Sequence, residues 1–163
     1  MRIVIAISFF IANLLNAATV SDADCCAFCN LKVIDKQSVF ESEYFTVLLD
    51  YAPRMKGHLL AVPKRHVVKV HELFQEEWAD LFNIIPNVVK VFSEFLATDE
   101  YIMIEKNGPR ALQNVPHVHF HLLPVTNQKW AEIFDIVPRQ LSQEEIKAEQ
   151  KLFRSYFSLV EIL

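Results

Sequence analysis

Glycine is nearly absent from this chain. Gly57 and Gly108 are the only two among 163 residues, so neither a Gly-rich loop that cradles phosphates with backbone N–H groups nor a dinucleotide fingerprint can be built. Any phosphate site must rest on side chains and a few backbone donors. Positive charge is not in excess either: the net charge is −4, which argues against the basic stripe that polymeric nucleic acid requires for counterion displacement. Small nucleotides stay open as partners. The apolar run Ile3 to Leu15, interrupted by Ser8 and Asn13, falls short of the about 20 residues a comfortable membrane span needs. With Met1 and Arg2 before it and Asn16, Ala17 and Ala18 after it, the run has the charge, core and small-residue end of a secretory signal. Residues 1–20 are thus set apart as a signal-like hydrophobic segment from a single domain over 24–163. Export, membrane tethering by an uncleaved segment, a buried hydrophobic extension, and a start placed too far upstream of a cytoplasmic protein are all readings the sequence leaves open.

What is present is enough for one packed core. Hydrophobic residues make up 52% and charged residues 22%, a balance that suits one compact domain at this length. Val39 to Leu49 and Leu59 to Pro63 read as two strands joined through a turn region at Pro53 to Gly57. Leu73, Phe74, Trp78, Leu81, Phe82, Ile85, Val88, Val89, Phe92, Phe95 and Leu96 recur at intervals of three and four, which predicts a long amphipathic helix over Glu72 to Ala97, with its aromatic stripe facing the core and a kink or break at Pro86. Tyr101 to Glu105 and His117 to Leu123 give two more strands, and Ser142 with Glu145 forms a capping box for a final helix to about Tyr156. The expected fold is α+β: an antiparallel sheet with one long helix and a C-terminal helix.

Three of the six histidines stand at alternate positions in Pro116 His117 Val118 His119 Phe120 His121 Leu122 Leu123. In an extended strand alternate side chains share a face, about 7 Å apart from one to the next. His117, His119 and His121 then line one face while Val118, Phe120 and Leu122 turn to a core. Imidazole can act as nucleophile, proton carrier or metal ligand near neutral pH, so the chemistry is expected on this face. Cys25, Cys26 and Cys29 cluster within five residues. A Cys-x-x-Cys pair such as Cys26 and Cys29 can chelate zinc, form a redox disulfide, or do neither.

The array from His117 to Leu123 resembles the signature of the histidine triad superfamily of nucleotide hydrolases and transferases: His, apolar, His, apolar, His, apolar, apolar. Asp50 with Pro53, then Gly57 to His66, resemble the family's ribose-contacting strand and the strand after it, and Asn107, Gly108 and Gln113 resemble its phosphate loop. The likeness runs from about Cys26 to Pro124, roughly 100 of 163 residues. It implies a histidine-triad-like domain that cleaves a nucleoside phosphoramidate or dinucleoside polyphosphate at the α-phosphate and releases nucleoside monophosphate. His119 would be the nucleophile, forming a transient nucleotidyl-histidine. His121 and Gln113 would contact the α-phosphate with Asn107 and Asn114 nearby, and Asp50 would accept hydrogen bonds from the ribose hydroxyls. In part of the family a Cys, x, Phe, Cys pair supplies zinc ligands. Carried over, Cys26, Cys29, His66 and His117 form a closed structural set, with no catalytic cofactor; a disulfide competes if the chain is exported. Cys25 fits no scheme, and His58 and His71 are expected to be structural or exposed. Where the family has a small residue and Gly before the Gln, this chain has Ala111 and Leu112, and Val125 replaces an Arg common after the triad. Those departures bear on the leaving group. Trp130 could stack on a base or serve a core or a homodimer. Two other functions compete: a metal-binding protein that chelates copper or zinc through the three strand histidines, and a nucleotidyl transferase, disfavoured because those enzymes carry Gln at the position of His121.

Overall fold

The computed structural model describes residues 26–160; the signal-like segment and Cys25 lie outside them. A 3-10 turn, Ala27–Cys29, opens the described chain and leads into α1, Leu31–Gln37. Asn30 caps α1 by accepting the Lys32 N–H at 3.0 Å. The sheet has five strands: β1 Ser38–Glu41, β2 Phe45–Leu49, β3 Leu59–Pro63, β4 Tyr101–Glu105 and β5 Phe120–Pro124. Their spatial order is β1-β2-β3-β5-β4, and every pairing is antiparallel. Three further helices follow: α2 Gln75–Leu96, α3 Trp130–Asp135 and α4 Gln143–Leu159.

The stretch expected as one strand over Val39 to Leu49 is a hairpin. Ser42 Oγ donates to Asp80 at 2.6 Å and the Tyr44 N–H to the same carboxylate oxygen at 2.8 Å, so the turn is tied to α2 rather than continued as strand. The long helix begins three residues later than its apolar pattern suggests, because Val70–Glu72 forms a separate 3-10 turn. Pro86 sits inside α2 without ending it. Pro86 and Phe82, whose carbonyl loses its donor, both face solvent, while Leu81, Ile84, Val88, Val91 and Phe92 bury the opposite side. Phe82 is therefore 58% exposed rather than core; it stacks on Trp78, which continues edge-on to Phe120. The Ser142–Glu145 capping box forms as its residues suggest, with the Ser142 N–H donating to Glu145 at 2.8 Å and the Glu145 N–H to Ser142 Oγ at 3.2 Å.

Period-two alternation divides the sheet into two faces. Phe45, Val47, Leu49, Leu59, Ala61, Phe120 and Leu122 pack with Val88, Phe92, Phe153 and Phe157 of α2 and α4 in the main core. Leu48, Leu60 and Val62 turn the other way and form a second small cluster with Phe28 and Ile34. Register places His121 opposite Leu60 and Ile104, and Leu60 opposite Leu48. The imidazole face is thus the face away from the two long helices.

Candidate active site and metal centre

The three alternate histidines do share a face, but it is not an open one. Ladder pairing begins at Phe120; the extended segment before it is held by the Val118 N–H donating to the Val67 carbonyl at 2.7 Å. His117 is fully buried and His119 is 6% exposed. His117 turns away from the other two, whose rings meet edge-on with centroids 5.1 Å apart, and the three do not gather around one point.

His117 turns toward the cysteine loop. Its Nε2 lies 2.9 Å from the Pro63 carbonyl, which can only accept, so Nε2 carries the proton and Nδ1 keeps a lone pair. That lone pair faces Cys26 Sγ at 3.4 Å and Cys29 Sγ at 3.6 Å. His66 Nδ1 lies 3.3 Å from Cys29 Sγ. The four donor atoms all lie within 4.8 Å of one another. Burial lowers His117 to about 4, and burial with the neighbouring Cys26 raises the Cys29 thiol to about 11. Both cysteines are free thiols. Two cysteine sulfurs and two imidazoles around one point are the donor set of a closed tetrahedral zinc site, and the tautomer of His117 suits ligation. These residues can hold a metal.

His119 Nδ1 lies 2.8 Å from the carbonyl of His117, so Nδ1 bears the proton and the neutral ring presents its Nε2 lone pair to the site. Burial lowers its pKa, keeping the ring neutral. The Phe28 ring meets it edge-on at 5.1 Å.

His121 belongs to a third environment, one that sequence reasoning missed. His58 is neither exposed nor idle: it is buried, with Nδ1 accepting the Arg54 N–H at 3.2 Å. Its proton therefore sits on Nε2, which lies 3.0 Å from His121 Nδ1 and 3.4 Å from Asp50 Oδ2. Donation from His58 to His121 Nδ1 places the proton of His121 on Nε2, and that atom is buried and unpaired in the site. Burial, with the charges of Arg54 and Lys106, holds His58 down to about 3. Burial, with His58 and His119 beside it, does the same for His121. Asp50 is only 9% exposed, and its Oδ1 accepts the Ala52 N–H at 2.9 Å. Asp50, His58 and His121 could themselves gather an ion, but a shared proton accounts for the 3.0 Å nitrogen separation.

The loop expected to meet phosphate runs through Asn107, Gly108 and a 3-10 turn at Pro109–Ala111. Gln113 Oε1 accepts the Gly108 N–H at 2.8 Å and its Nε2 donates to the Val68 carbonyl at 3.0 Å. Both ends of the amide pin the loop, leaving one N–H for a ligand. Asn107 and Asn114 are exposed on the same loop. Leu112 adopts φ 63°, ψ 34°, the left-handed region, which explains why glycine suits this position. On the far side of His121 the segment after β5 is strapped back: the Arg54 guanidinium donates to the carbonyls of Phe134 at 3.1 Å and Ile136 at 2.5 Å. A cavity of about 40 Å³ remains there, lined by Arg54, His58, Lys106, His121, Ile133 and Phe134 among others. The side chain of Trp130 lies outside the described residues. His71 is exposed on the Val70–Glu72 turn.

An adenosine 5'-monophosphoramidase of Schizosaccharomyces pombe is 36% identical over 125 residues, covering 76% of this chain and 91% of the relative. A bis(5'-adenosyl)-triphosphatase of Dictyostelium discoideum is 34% identical over 85 residues, 52% of this chain and 57% of the relative. Among solved structures, a hypothetical histidine triad nucleotide-binding protein of Sulfolobus tokodaii superposes with TM-score 0.68 at 25% identity, over 82% of this chain and 93% of that one. A zinc-bound histidine triad family protein of Mycobacterium smegmatis superposes with TM-score 0.66 at 23% identity, over 84% of this chain and 96% of that one. The HIT domain family matches residues 31–128, and with the imidazole row, the Asp50 loop and the Gln113 loop all inside that span, the chain belongs to the histidine triad superfamily.

Proposed function

We propose that the protein is a nucleotide hydrolase that cleaves at the α-phosphate of a nucleoside phosphoramidate or dinucleoside polyphosphate through a covalent intermediate on His119. The observation that carries the reading is the His119 tautomer: with Nδ1–H bound to the His117 carbonyl, Nε2 is a fixed lone pair in a neutral ring, the state a nitrogen nucleophile needs. The relatives named as a monophosphoramidase and a triphosphatase support the nucleotide class.

In the first displacement His119 Nε2 attacks the α-phosphorus, forming a P–N bond while the bond to the leaving group breaks; a leaving amine takes a proton from solvent, and a leaving phosphate departs as the anion. His121 Nε2–H, buried and unpaired in the free protein, donates toward the oxygens on which charge gathers, as a preorganised donor. Gln113 holds the phosphate loop and offers its remaining N–H, with Asn107 and Asn114 at the rim. Asp50 accepts from the ribose hydroxyls through the oxygen not committed to Ala52. In the second displacement water attacks the same phosphorus and gives a proton to solvent, the P–N bond breaks, nucleoside monophosphate leaves, and His119 regains its lone pair. Cys26, Cys29, His66 and His117 would hold zinc, which contributes folding energy rather than chemistry. No catalytic cofactor enters this scheme. The turn of His117 toward the cysteines, away from the other two triad rings, favours the hydrolase over a protein that chelates metal through all three, and His121, in place of Gln, favours it over a transferase.

A homodimer is part of the reading, with the exposed Tyr101 and Met103 of the edge strand β4 as its contact. So is export or tethering by residues 1–20, which places the mature N-terminus near Ala18 or Thr19 if the segment is cleaved. The test of function is a panel of nucleoside phosphoramidates and dinucleoside polyphosphates scored for release of nucleoside monophosphate; release from none of them contradicts it. Metal analysis of freshly purified, reduced protein should find about one zinc per chain, as a closed four-ligand site requires; its absence contradicts the zinc assignment.

A further inference from the structure

The candidate metal centre and the candidate nucleophile are two residues apart on one extended segment, and two contacts join them. The first runs through the backbone. His117 offers its ring to the cysteine loop and its carbonyl, at 2.8 Å, to His119 Nδ1. The same peptide is held from its other side by the Val118 N–H on the Val67 carbonyl at 2.7 Å, so fixing the ring of His117 adds a second hold on the plane that decides the tautomer and aim of His119. The ring has two anchors: Nε2–H on the Pro63 carbonyl, and Nδ1 on the two sulfurs. Without an ion the second anchor is a weak contact with thiols; with one it becomes a coordinate bond. The second contact comes from within the metal loop. Phe28 lies between Cys26 and Cys29 in the Ala27–Cys29 turn, and its ring meets His117 at 5.9 Å and His119 at 5.1 Å, both edge-on. Ligation at Cys26 and Cys29 on either side of Phe28 holds that ring against the imidazole.

We infer that the loop Cys26–Cys29 is a clamp on the nucleophile: ligation of His117 holds the carbonyl that orients His119, and Phe28 holds its ring from the side, so that metal occupancy sets the rate of the chemical step and not stability alone. The inference rests on the assignment of His119 as nucleophile, and it makes Phe28 and His117 positioning residues. Reaching a phosphorus in line demands tight aim: a misplacement of about 1 Å costs on the order of 100-fold in rate. A ring freed to rotate about its Cβ bond or to exchange tautomers loses that aim without losing the substrate contacts at Asp50 and Gln113.

The experiment uses the full chain labelled with ¹⁵N-histidine, loaded with zinc and then stripped with a chelator, with circular dichroism confirming that the fold persists. In the loaded protein His119 should show a single Nδ1–H tautomer. In the stripped protein it should show a mixture of tautomers, kcat should fall by about 10- to 100-fold, KM should change little, and added zinc should restore both signals. Phe28→Leu leaves all four ligands in place; it should retain the metal while broadening the tautomer population and lowering kcat in the same sense. A folded, metal-free protein with an unchanged His119 tautomer and unchanged kcat overturns the inference. Should the stripped chain unfold, Phe28→Leu decides: wild-type tautomer and kcat in that variant overturn it equally. If the loaded wild type hydrolyses nothing in the nucleotide panel, the hydrolase reading fails by itself, while the tautomer populations still decide whether the loop clamps His119.

Discussion

Lowering the pH toward 5 should destabilise this fold through two buried rings, and the size of the effect can be worked out. His58 and His121 each stand at about 3 in the folded chain, against 6.5 for an ordinary histidine, burial being the main cause for both. A pKa depressed by folding means the unfolded chain binds the proton first. Stability is therefore complete above about pH 6.5 and declines as pH falls toward 3. Over that window each ring contributes a slope of about 1.4 kcal/mol per pH unit. Moving from about pH 7 to pH 5 thus costs on the order of 2 kcal/mol per ring, or roughly 4 for the pair, before their mutual coupling is counted. His117 and His119, also lowered by burial, add in the same sense, Glu105 and Glu149, raised by burial, act in the opposite sense, and a variant comparison cancels these four. Urea unfolding of zinc-loaded wild type and His58→Phe across this range reads the difference. The variant should show the shallower slope, by about 1.4 kcal/mol per pH unit for the ring removed. Parallel slopes for the two proteins would refute the assignment of His58 as a buried neutral histidine.

Asp50→Asn should raise KM for ribonucleotide substrates by about 10- to 100-fold, the worth of a charge-assisted hydrogen bond, and should have a much smaller effect on substrates lacking both ribose hydroxyls; equal effects on the two would contradict the ribose role. Leu112→Gly should raise the midpoint of thermal unfolding, because it removes a left-handed strain of about 1–2 kcal/mol against a smaller entropy cost; a lower midpoint contradicts it. Gly57→Ala should lower it, by an amount corresponding to about 1–3 kcal/mol, since φ is +82° there and a Cβ would stand 2.7 Å from Leu96 Cδ1. An unchanged midpoint would contradict it, because the left-handed strain persists even where Leu96 yields.

The sequence made legible whatever followed a short period or a contiguous motif. Alternation from His117 to Leu122 showed which side of β5 carries imidazole, the three-and-four spacing located α2, and Ser142 with Glu145 marked the start of α4. Sequence could not show what covers a face. The imidazole row is closed because β3 pairs with β5 and brings Leu60 and His58 alongside His121, a pairing between segments some 60 residues apart that no local pattern encodes. His58 was missed for the same reason: it precedes the first strand residue of β3 and has no periodic partner of its own. The hairpin between β1 and β2 depended on Asp80, far along the chain. Leu112 was visible as a departure from the glycine usual there, but its cost lies in a backbone angle. The strap from Arg54 to Phe134 and Ile136 uses carbonyls, which every residue has, so it left no mark in the sequence.

The central claim is that His119 becomes covalently attached to the nucleotide. Rapid acid-free quenching of the wild type during turnover of a labelled phosphoramidate, followed by denaturing separation, should show label on the protein that acid then releases as nucleoside monophosphate. His119→Asn keeps a polar side chain of similar reach but cannot form the P–N bond. It should carry no label and lose turnover by several orders of magnitude, as expected when a covalent route is removed, while still binding nucleotide through Asp50 and Gln113. Label on the variant, or full turnover without label on the wild type, would contradict the account.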